Sequence, residues 1–567
     1  MMSQVDINRN LKISAGPGAG KTTYLINHIK RVVKKSPELK KSRKVACITY
    51  TNAAANTIIE RLDLNSDRVE VSTIHSFLYA NVLKPYWNLV PDEFGINIKK
   101  VDGHDEIPIT GGLIYEWKSN TNQYYLDDGA KITKALKNLA WQFDDDNDLV
   151  LKPVKPYLGD MGDYWIDTES YIEYKKLYWE RGQLAHEDVL YLAYKLLDDN
   201  PNIIRFIKAK FPFLFIDEFQ DTSPLQYEIL KKLSASGVTT GVIGDWAQSI
   251  YEFQGASPKL FQQISLEEME EITIETNYRS SDDIVSLLNK IRSDITQTNN
   301  SEVENGCIKV LVGNYFEAID KIESLIGDKP CVLTRRNKEA NLINNEYESS
   351  SISDYSSTEN VNSDSNTQRR LSIQRSIKSI IYANNDQFKD AINEIEKVIG
   401  SSIDNELEKK KCALRILKEL LSSYDEYAEL SLTDFLNKIK ELYPKKITGL
   451  ASGRAKSFYD QYKVKDALVE IERSEPNKIA QTIHQSKGLE YESVFLLLGN
   501  VSNPEEFNEE EELGFLIEPN LEDNEEHRIR YVGTSRAVQN LFINIPSLTS
   551  STEEKLKKLN FSVERIE

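Results

Sequence analysis

Short apolar runs alternate with helix-like stretches in the first 80 residues of the chain. The apolar run 11–15 precedes a stretch of helical periodicity at 22–33, and the run 45–49 precedes another at 53–62. Strands that alternate with helices in this way form βαβ units, whose neighbouring strands are parallel. The pattern therefore predicts a parallel sheet near the N-terminal end.

The residue pattern then changes over about 100 residues, and strand-like apolar runs reappear further along the chain. Between about residues 81 and 182, aromatic residues and lysines are mixed at irregular spacing, which predicts a mostly helical insertion. Further strand-like runs lie at 213–216, 241–244, 272–275, 331–334, 479–483, 494–498 and 541–545, and helical periodicity at 369–399 and 405–442. The Ser-, Asn- and Asp-rich segment 348–368 predicts a loop or linker. We expect an α/β chain with two parallel-sheet domains, each interrupted by a mostly helical insertion.

A glycine-rich stretch, AGPGAGKTT at 15–23, links the first apolar run to the first helical stretch. Glycines let successive N–H groups converge on phosphate oxygens, and the helix start adds a positive dipole end. In such a loop a lysine reaches the β- and γ-phosphates and a hydroxyl ligates Mg²⁺. We therefore expect a nucleoside triphosphate on this loop, although Ala15 stands where the simple pattern has its first glycine. The expected contact residues are Gly16, Pro17, Gly18, Ala19, Gly20, Lys21, Thr22 and Thr23.

A second apolar run ends in two adjacent carboxylates, Asp217 and Glu218. The carboxyl ends of parallel strands meet at one edge of a sheet, where the glycine-rich loop also lies. Asp217 is suited to hold Mg²⁺ together with Thr22, and Glu218 to orient and deprotonate an attacking water. The pair predicts hydrolysis of the bound triphosphate.

Composition and charge narrow the class of protein. The chain has 567 residues and a net charge of −19, which by itself argues against nucleic acid as a partner, although a basic groove can exist within an acidic body. No apolar run is long enough to span a membrane. The four cysteines are scattered, which favours a reducing, cytoplasmic location over disulfides or a zinc site.

Four further polar segments follow or adjoin apolar runs, and each alone is a weak signal. They are 244–251 with Gln248, 275–279 with Tyr278 and Arg279, 484–490 with His484 and Glu490, and 531–537 with Arg536. Tyr278 is suited to stack on a base and Arg279 to meet a phosphate.

Taken in order, these segments resemble the motifs of the UvrD/Rep family of superfamily 1 helicases. The matching segments are 15–22, 48–55, 72–77, 216–222, 244–255, 277–279, 484–490 and 531–537. The resemblance implies two RecA-like P-loop domains with ATP and Mg²⁺ in the cleft between them, and 3′-to-5′ movement on single-stranded DNA. It implies RecA-like domain 1A at 1–80 and 185–280, insertion 1B at 81–184, RecA-like domain 2A at 281–384 and 474–567, and a short insertion 2B at 385–473.

The resemblance also implies roles for single residues. Lys21, Asp217, Glu218, Gln248, Arg279 and Arg536 would form the catalytic set, with Tyr278 on adenine and Glu490 on the ribose. Gln248 would couple the γ-phosphate to DNA, and Arg279 and Arg536 would stabilise the transition state from opposite sides of the cleft. In the segment 244–255, Glu252 and Gln254 stand where arginines are common in the family.

Expected DNA contacts follow from the same resemblance, and strand-tracking proteins in general use aromatic platforms and polar backbone contacts. They are Tyr50, Thr51, Asn52, His75, Phe77, Tyr251, Phe253 and His484. For Phe77 and Phe253 a core position is the alternative interpretation. The basic, aromatic stretch 443–465 fits either a phosphate-backbone contact or a solvated helix face.

Two functional hypotheses are therefore compatible with the sequence. The first is an ATP-dependent 3′-to-5′ DNA helicase. The second is a DNA-sensing ATPase subunit of a bacterial antiphage complex of the Gabija type, with a partner nuclease and little unwinding of its own. A P-loop kinase or transporter ATPase would explain neither 217–220 nor 531–536.

Overall fold

The structure is a computed structural model. It describes residues 5–566 with gaps at 40–41, 63–66, 102, 106, 108, 156, 158–165, 349–363, 365, 385–387, 404–405, 451, 468–478 and 500–503. Most of the predicted loop 348–368 lies outside the described residues. The chain divides into two compact units, one formed by Met1–Glu339 with Thr482–Glu567 and the other by Ala340–Gln481.

Sixteen strands are described, and we number them in chain order. They are β1 Leu11–Ala15, β2 Val45–Thr49, β3 Val69–Thr73, β4 Leu139–Phe143, β5 Leu149–Pro153, β6 Phe213–Ile216, β7 Thr239–Gly244, β8 Glu270–Ile274, β9 Thr276–Asn277, β10 Thr298–Asn299, β11 Ile308–Val312, β12 Cys331–Thr334, β13 Ala480–Thr482, β14 Tyr491–Leu497, β15 Ala537–Ile545 and β16 Ser562–Arg565. The predicted runs 11–15, 45–49, 213–216 and 331–334 coincide with β1, β2, β6 and β12.

The α-helices lie between these strands. Those of the larger unit, with one that continues past its end, are Lys21–Lys35, Asn52–Leu62, Ile74–Leu78, Gly111–Thr121, Gly129–Lys137, Thr168–Trp179, His186–Asp199, Pro201–Lys210, Pro224–Ala235, Pro258–Gln263, Asp282–Ile291, Tyr315–Ile326, Asn337–Glu348, Glu509–Ile517, Glu525–Thr534 and Ser550–Lys558. Those of the smaller unit are Thr367–Asn384, Phe388–Ile399, Glu406–Ser422, Tyr424–Tyr427, Leu432–Leu442 and Arg454–Gln461. None of the described helices combines the length and the apolar character needed to cross a membrane.

The first six-stranded sheet has the order β3-β2-β6-β7-β1-β8, and all of its pairs are parallel. Apolar side chains cover both faces, which explains the nearly continuous apolar sequence of its central strands. The strands β6, β7 and β1 are neighbours, so the segments that follow them meet at one edge of the sheet.

The second six-stranded sheet has the order β13-β12-β14-β15-β11-β16, and its four described neighbour pairs from β12 to β16 are parallel. The structure thus contains the two parallel sheets that the sequence predicts. Seven strands have no counterpart among the predicted runs, namely β3, β4, β5, β9, β10, β11 and β16. The antiparallel β4–β5 pair lies within the interval predicted to be mostly helical.

The described residues of the unit Ala340–Gln481 are mainly helical and form a hydrophobic core of their own. Ile380, Phe435 and Ile439 are completely buried in that core. The periodicity at 369–399 and 405–442 therefore corresponds to several helices packed together. The bounds of the four predicted domains remain a prediction.

Candidate functional site

The glycine-rich loop runs from the end of β1 to the helix Lys21–Lys35. Gly18 and Gly20 have φ angles of +68° and +73°, which favour glycine because a side chain there is strained. The Lys21 Nζ donates hydrogen bonds to the carbonyls of Ala15 and Gly16, each at 3.2 Å. Burial is the main cause that lowers the pKa of Lys21, while Asp245 and Glu218 oppose it. The loop therefore places a half-buried cation at a helix start, where anions bind.

Asp217 follows β6 directly and faces the start of this helix. The Thr22 hydroxyl donates to Asp217 Oδ2 at 3.3 Å, although the two residues are far apart in the sequence. Burial, and then the neighbouring Glu218, raise the pKa of Asp217 to about 7, whereas Lys21 lowers it. The structure thus brings the predicted metal-binding pair together.

Glu218 has a φ of +54°, a conformation that costs a residue with a side chain about 1–2 kcal/mol. Its carboxylate accepts a hydrogen bond from Gln220 Nε2. Although burial raises the pKa of Glu218, the cations Lys21 and Lys487 outweigh it, so the pKa lies below its ordinary value. Adjacent Asp217 and Glu218 therefore have pKa values shifted in opposite directions, an arrangement typical of paired catalytic groups.

Arg536 lies directly before β15 of the second sheet, and its side chain is buried, with 2 % exposure. Its Nη2 donates to Gln248 Oε1 at 3.0 Å, and Gln248 Nε2 donates to Asp245. Burial, and then the neighbouring Arg279, lower the pKa of Arg536 to about 9. Gln248 thus joins the segment after β7 to an arginine of the other sheet.

Arg279, Tyr278 and Glu490 lie beside the same loop. Arg279 Nε donates to Glu490 Oε2 at 2.6 Å, and its Nη1 to the Ser535 carbonyl at 3.4 Å. The Tyr278 backbone N–H donates to the Gly18 carbonyl at 2.9 Å, while its side chain is 51 % exposed. An exposed ring anchored beside a phosphate loop is available for stacking on a base.

The oxygen atoms at Thr22 and Asp217 suit Mg²⁺, which prefers one or two protein oxygens together with substrate phosphates. Among the described residues, no group of three or more His, Cys, Asp or Glu side chains is arranged to hold a metal ion. The site therefore fits a cation that arrives with a phosphate ligand better than a fully protein-bound one.

Four of the eight predicted DNA contacts form one aromatic cluster, which consists of Tyr50, Tyr251, Phe253 and His484. The rings of Tyr50 and Tyr251 stack with centroids 4.9 Å apart, and His484 lies 5.5 Å from Phe253 and 5.9 Å from Tyr251. Burial lowers the pKa of His484 to about 4, so it is neutral at pH 7. The cluster combines residues that follow β2, β7 and β13.

Three other predicted DNA contacts lie outside the cluster. Thr51 and Asn52 are exposed, and Thr51 Oγ1 accepts the Ala54 N–H at the start of a helix. The ring of His75 instead lies among His104 and His186, at centroid distances of 6.2 and 5.3 Å. Thr51 and Asn52 remain accessible, whereas His75 belongs to a separate group of rings.

Phe77 is a correction to the predicted DNA contacts. Its side chain is 1 % exposed and packs against Phe211 with ring centroids 5.2 Å apart. The short helix Ile74–Leu78 turns this residue into the core, so a base has no access to the ring. The core interpretation that the sequence left open therefore applies to Phe77, whereas Phe253 is only half-buried.

The stretch 443–465, by contrast, uses several of its charges internally. Lys463 and Lys465 pair with Glu429, and Lys456 pairs with Asp460. Tyr443 and Tyr459 are buried in the helical core. These contacts favour the helix-face interpretation of this stretch.

Lys487 was not among the predicted site residues. Its Nζ pairs with Asp221, donates to the Gln248 carbonyl at 2.8 Å, and lies 4.8 Å from the centre of the Tyr251 ring. Burial raises the pKa of Asp221 to about 7, against the effect of Lys487. The position of Lys487 within the motif 484–490 was the only available signal, because its partners are distant in the sequence.

Glu252 and Gln254 also have partners that the sequence does not indicate. Glu252 pairs with Arg528, whose Nε donates to the Ser249 carbonyl at 2.9 Å. Gln254 Oε1 accepts from the Tyr50 hydroxyl at 2.6 Å. An acidic residue after β7 thus meets an arginine of the helix Glu525–Thr534.

Family profiles match both parts of the chain. The UvrD/REP helicase N-terminal domain matches residues 2–269, and the UvrD-like helicase C-terminal domain matches residues 354–547. The two matches do not overlap, and together they account for most of the sequence.

Three similar proteins differ in how much of their own length this chain matches. ATP-dependent DNA helicase Rep from Buchnera aphidicola is 26 % identical over 94 % of this chain and 91 % of its own length. ATP-dependent DNA helicase PcrA from Bacillus subtilis is 26 % identical over 50 % of this chain and 37 % of its own length. Gabija protein GajB from Bacillus cereus is 24 % identical over 58 % of this chain and 53 % of its own length.

The chain therefore spans nearly all of one helicase relative but only about a third to a half of the other two. Matches to both family domains agree with the two parallel sheets and with the motifs gathered between them. The chain belongs to the UvrD/Rep family, of which the similar proteins Rep and PcrA are named ATP-dependent DNA helicases.

Proposed function

We propose that this chain hydrolyses ATP to move 3′ to 5′ along single-stranded DNA and to separate duplexes. The observation that carries the proposal is the convergence of the loop cation Lys21, the carboxylates Asp217 and Glu218, and Arg536 from the second sheet. Motor enzymes of this type need groups from two sheets around one triphosphate, because closure and opening then follow its hydrolysis.

The proposed chemistry assigns one task to each group. Glu218 accepts the proton of the water that attacks the γ-phosphorus, and its lowered pKa keeps it ionised at pH 7. Lys21, Arg279 and Arg536 offset the negative charge that spreads over the phosphoryl oxygens as the bond to ADP breaks. Mg²⁺, held by Thr22 and Asp217, would supply further neutralisation of phosphate charge.

For DNA, we propose that the cluster of Tyr50, Tyr251, Phe253 and His484 stacks on bases, with Thr51 and Asn52 at the sugar–phosphate backbone. Base stacking on an aromatic ring contributes about 1–3 kcal/mol and does not depend on sequence. The acidic net charge of −19 makes such stacking more important than general attraction to phosphates. The free cysteines favour a cytoplasmic location.

The first experiment measures ATP hydrolysis with and without single-stranded oligonucleotide. We expect stimulation by DNA of about 10-fold or more, and its absence would rule out a DNA-driven motor. Lys21→Ala should abolish nucleotide binding and turnover, whereas Glu218→Gln should keep binding and lower turnover by about 10²- to 10⁴-fold. Unwinding of 3′-tailed but not 5′-tailed duplexes tests the polarity.

The DNA surface needs its own variant. Tyr251→Ala should weaken single-stranded DNA binding by about 5- to 100-fold, measured by fluorescence anisotropy. Phe206→Ala is the matched control, because Phe206 is an aromatic residue with 61 % exposure on the helix Pro201–Lys210. This helix precedes β6 and therefore lies at the amino edge of the sheet, opposite the proposed DNA surface. Equal losses in both variants would contradict the proposed DNA surface.

A second candidate function comes from the similarity to Gabija protein GajB. Here the chain is a DNA-sensing ATPase in an antiphage complex with a nuclease, and unwinding is weak. The natively expressed protein would then co-purify with a nuclease, and its ATP hydrolysis would respond to DNA while tailed duplexes stay intact. Robust unwinding by the isolated chain would favour the first candidate.

A further inference from the structure

The carbonyl of Pro17, in the middle of the glycine-rich loop, is held by two side-chain amides. Asn277 Nδ2 and Gln297 Nε2 each donate to it at 3.0 Å, and Asn277 Nδ2 also lies 3.4 Å from Gln297 Oε1. Both side chains are buried, with exposures of 0 % and 5 %. Two charge-neutral donors thus fix one peptide group of the loop.

This peptide group contains the N–H of Gly18. A trans peptide is planar, and its N–H points opposite to its carbonyl. Donors that hold the Pro17 carbonyl on one side therefore direct the Gly18 N–H towards the other side of the loop. Converging N–H groups are what a phosphate oxygen requires from such a loop.

The same two side chains explain why two loop positions are glycine. A Cβ atom on Gly16 would lie 2.6 Å from Gln297 Cδ, and one on Gly18 would lie 2.7 Å from Asn277 Oδ1. Gly18 needs glycine for a second reason, its φ of +68°, whereas no such angle constrains Gly16. At Gly16, close approach to Gln297 is therefore the requirement.

Asn277 joins the loop to the segment of Tyr278 and Arg279. Its Oδ1 accepts the backbone N–H groups of Arg279 at 2.9 Å and Ser280 at 3.0 Å, while Tyr278 N–H donates to the Gly18 carbonyl. The loop and the proposed arginine of the transition state are thus held by one amide side chain.

The backbone of Gln297 is held in place by the side chain of Asn289. Gln297 N–H donates to Asn289 Oδ1 at 2.8 Å, and Asn289 Nδ2 donates to the Gln297 carbonyl at 2.8 Å. The next residues form β10, which pairs with β9 at Asn277. A rigid backbone at residue 297 keeps its amide directed at the loop.

We propose that Gln297 is a positioning residue. Together with Asn277, it holds the phosphate loop in the conformation that binds a nucleoside triphosphate. This inference rests on the proposed function of the loop, and it assigns a role to a residue outside all the motifs recognised in the sequence. Gln297 acts through the Pro17 peptide and does not itself touch the phosphates.

The first test replaces Gln297 by methionine, which has a similar length but no donor. We expect nucleotide affinity, measured with a fluorescent ATP analogue without DNA, to fall by about 3- to 10-fold, the range for one lost hydrogen bond. The KM for ATP should rise by a similar factor, while kcat changes by less than about 3-fold. A purely structural defect would instead lower the fraction of active protein without changing KM.

Gln226→Met is the matched control for this substitution. Gln226 Oε1 accepts the Ser223 N–H at 3.2 Å at the start of the helix Pro224–Ala235, so the variant also loses one amide hydrogen bond in the same unit. Its nucleotide affinity should equal that of the unaltered chain. The proposal is overturned if Gln297→Met binds the analogue with unaltered affinity, or if both variants lose affinity equally.

A second test does not depend on the tolerance of the site to methionine. Gly16→Ala should lower nucleotide affinity by about 10-fold or more because its Cβ meets the Gln297 side chain, and Gln297→Ala added to it should restore the affinity of Gln297→Ala alone. Gly18→Ala should not be rescued by Asn277→Ala, because its backbone angle remains strained. Absence of rescue at Gly16 contradicts the proposal.

The binding and rescue measurements separate the proposed function of the chain from the role of Gln297. If the unaltered chain neither binds the analogue nor hydrolyses ATP, the proposed function is wrong. If the unaltered chain does both and Gly16→Ala is not rescued, only the role of Gln297 is wrong.

Discussion

At the scale of single residues, burial is the largest cause of several pKa shifts in and around the phosphate loop. It is the first cause of the raised pKa of Asp217 and of the lowered pKa values of Lys21 and Arg536. At these three residues, neighbouring opposite charges only partly offset the loss of water, whereas at Glu218 the cations Lys21 and Lys487 outweigh it. The same cause acts on isolated histidines, where its effect on stability is easier to measure.

His28 offers such a measurement. It is 5 % exposed on the helix that follows the phosphate loop, and its Nδ1 has no hydrogen-bond partner among the described residues. Burial, and then Arg31, lower its pKa from 6.5 to about 4. As the pH falls, the unfolded chain therefore takes up this proton first, and stability present above pH 6.5 is lost towards pH 4.

We expect the non-titrating variant His28→Met to lose about 2 kcal/mol less unfolding free energy than the unaltered chain between pH 7.5 and pH 5. Urea unfolding at the two pH values gives this difference, and the comparison at pH 7.5 separates the change in packing from the change in titration. If the unfolding free energies of the two proteins change equally with pH, His28 has its ordinary pKa in the folded state and the prediction is wrong.

At the scale of elements, strand order determines where the chemistry lies. The strands β6, β7 and β1 are adjacent and parallel, so Asp217, Gln248 and Lys21 follow their carboxyl ends at one edge. From the second sheet, Glu490 and Arg536 directly precede β14 and β15. The site thus combines the carboxyl edge of one sheet with the amino edge of another.

The register of β7 provides a prediction at this scale. Gly241 is paired with Phe215 on β6, and a Cβ at position 241 would lie 2.5 Å from the Phe215 ring. Gly241→Ala should therefore destabilise the protein by about 1–3 kcal/mol through overpacking. Phe215→Leu in the same chain should recover part of this loss, measured as the unfolding midpoint.

Gly20→Ala does not serve as a packing control, because its φ of +73° adds backbone strain. Gly112→Ala does, since a Cβ atom at this helical position would lie 3.8 Å from its nearest neighbour outside the helix backbone, Thr110 Oγ1. It should leave stability unchanged or raise it. A Gly241→Ala variant as stable as Gly112→Ala would mean that the two strands adjust without cost.

At the scale of the whole larger unit, Lys487 connects the proposed ATP and DNA surfaces. It pairs with buried Asp221, donates to the Gln248 carbonyl and lies over the Tyr251 ring. Gln248 in turn accepts from Arg536. A change at the aromatic cluster therefore has a short path of direct contacts to Arg536, the arginine proposed to act on the transition state.

We expect Lys487→Met to lower the stimulation of ATP hydrolysis by DNA by about 10-fold, with a smaller change in the rate without DNA. Lys175→Met is the matched control, because Lys175 and Asp188 form another buried pair, at 2.7 Å, in the same unit. Its loss should lower stability and leave the stimulation ratio unchanged. Equal ratios in the two variants would contradict coupling through Lys487.

The two parallel sheets, the phosphate loop and the family were all predictable from the sequence alone. Local signals suffice for these features, because apolar runs, turn glycines and ordered motifs are contiguous in the chain. The helix that begins at Lys21 and the strand that ends before Asp217 were both predictable in this way.

Which residues contact each other, by contrast, follows from the folded chain and not from any local pattern. The core position of Phe77, the pairs Lys487–Asp221 and Glu252–Arg528, and the amide of Gln297 on the Pro17 carbonyl all join distant parts of the chain. Strand order and helix packing create these contacts, and no local pattern encodes them, since each side chain alone is compatible with many neighbours. The sequence therefore specified the chemistry available, and folding selected the partners through which that chemistry is controlled.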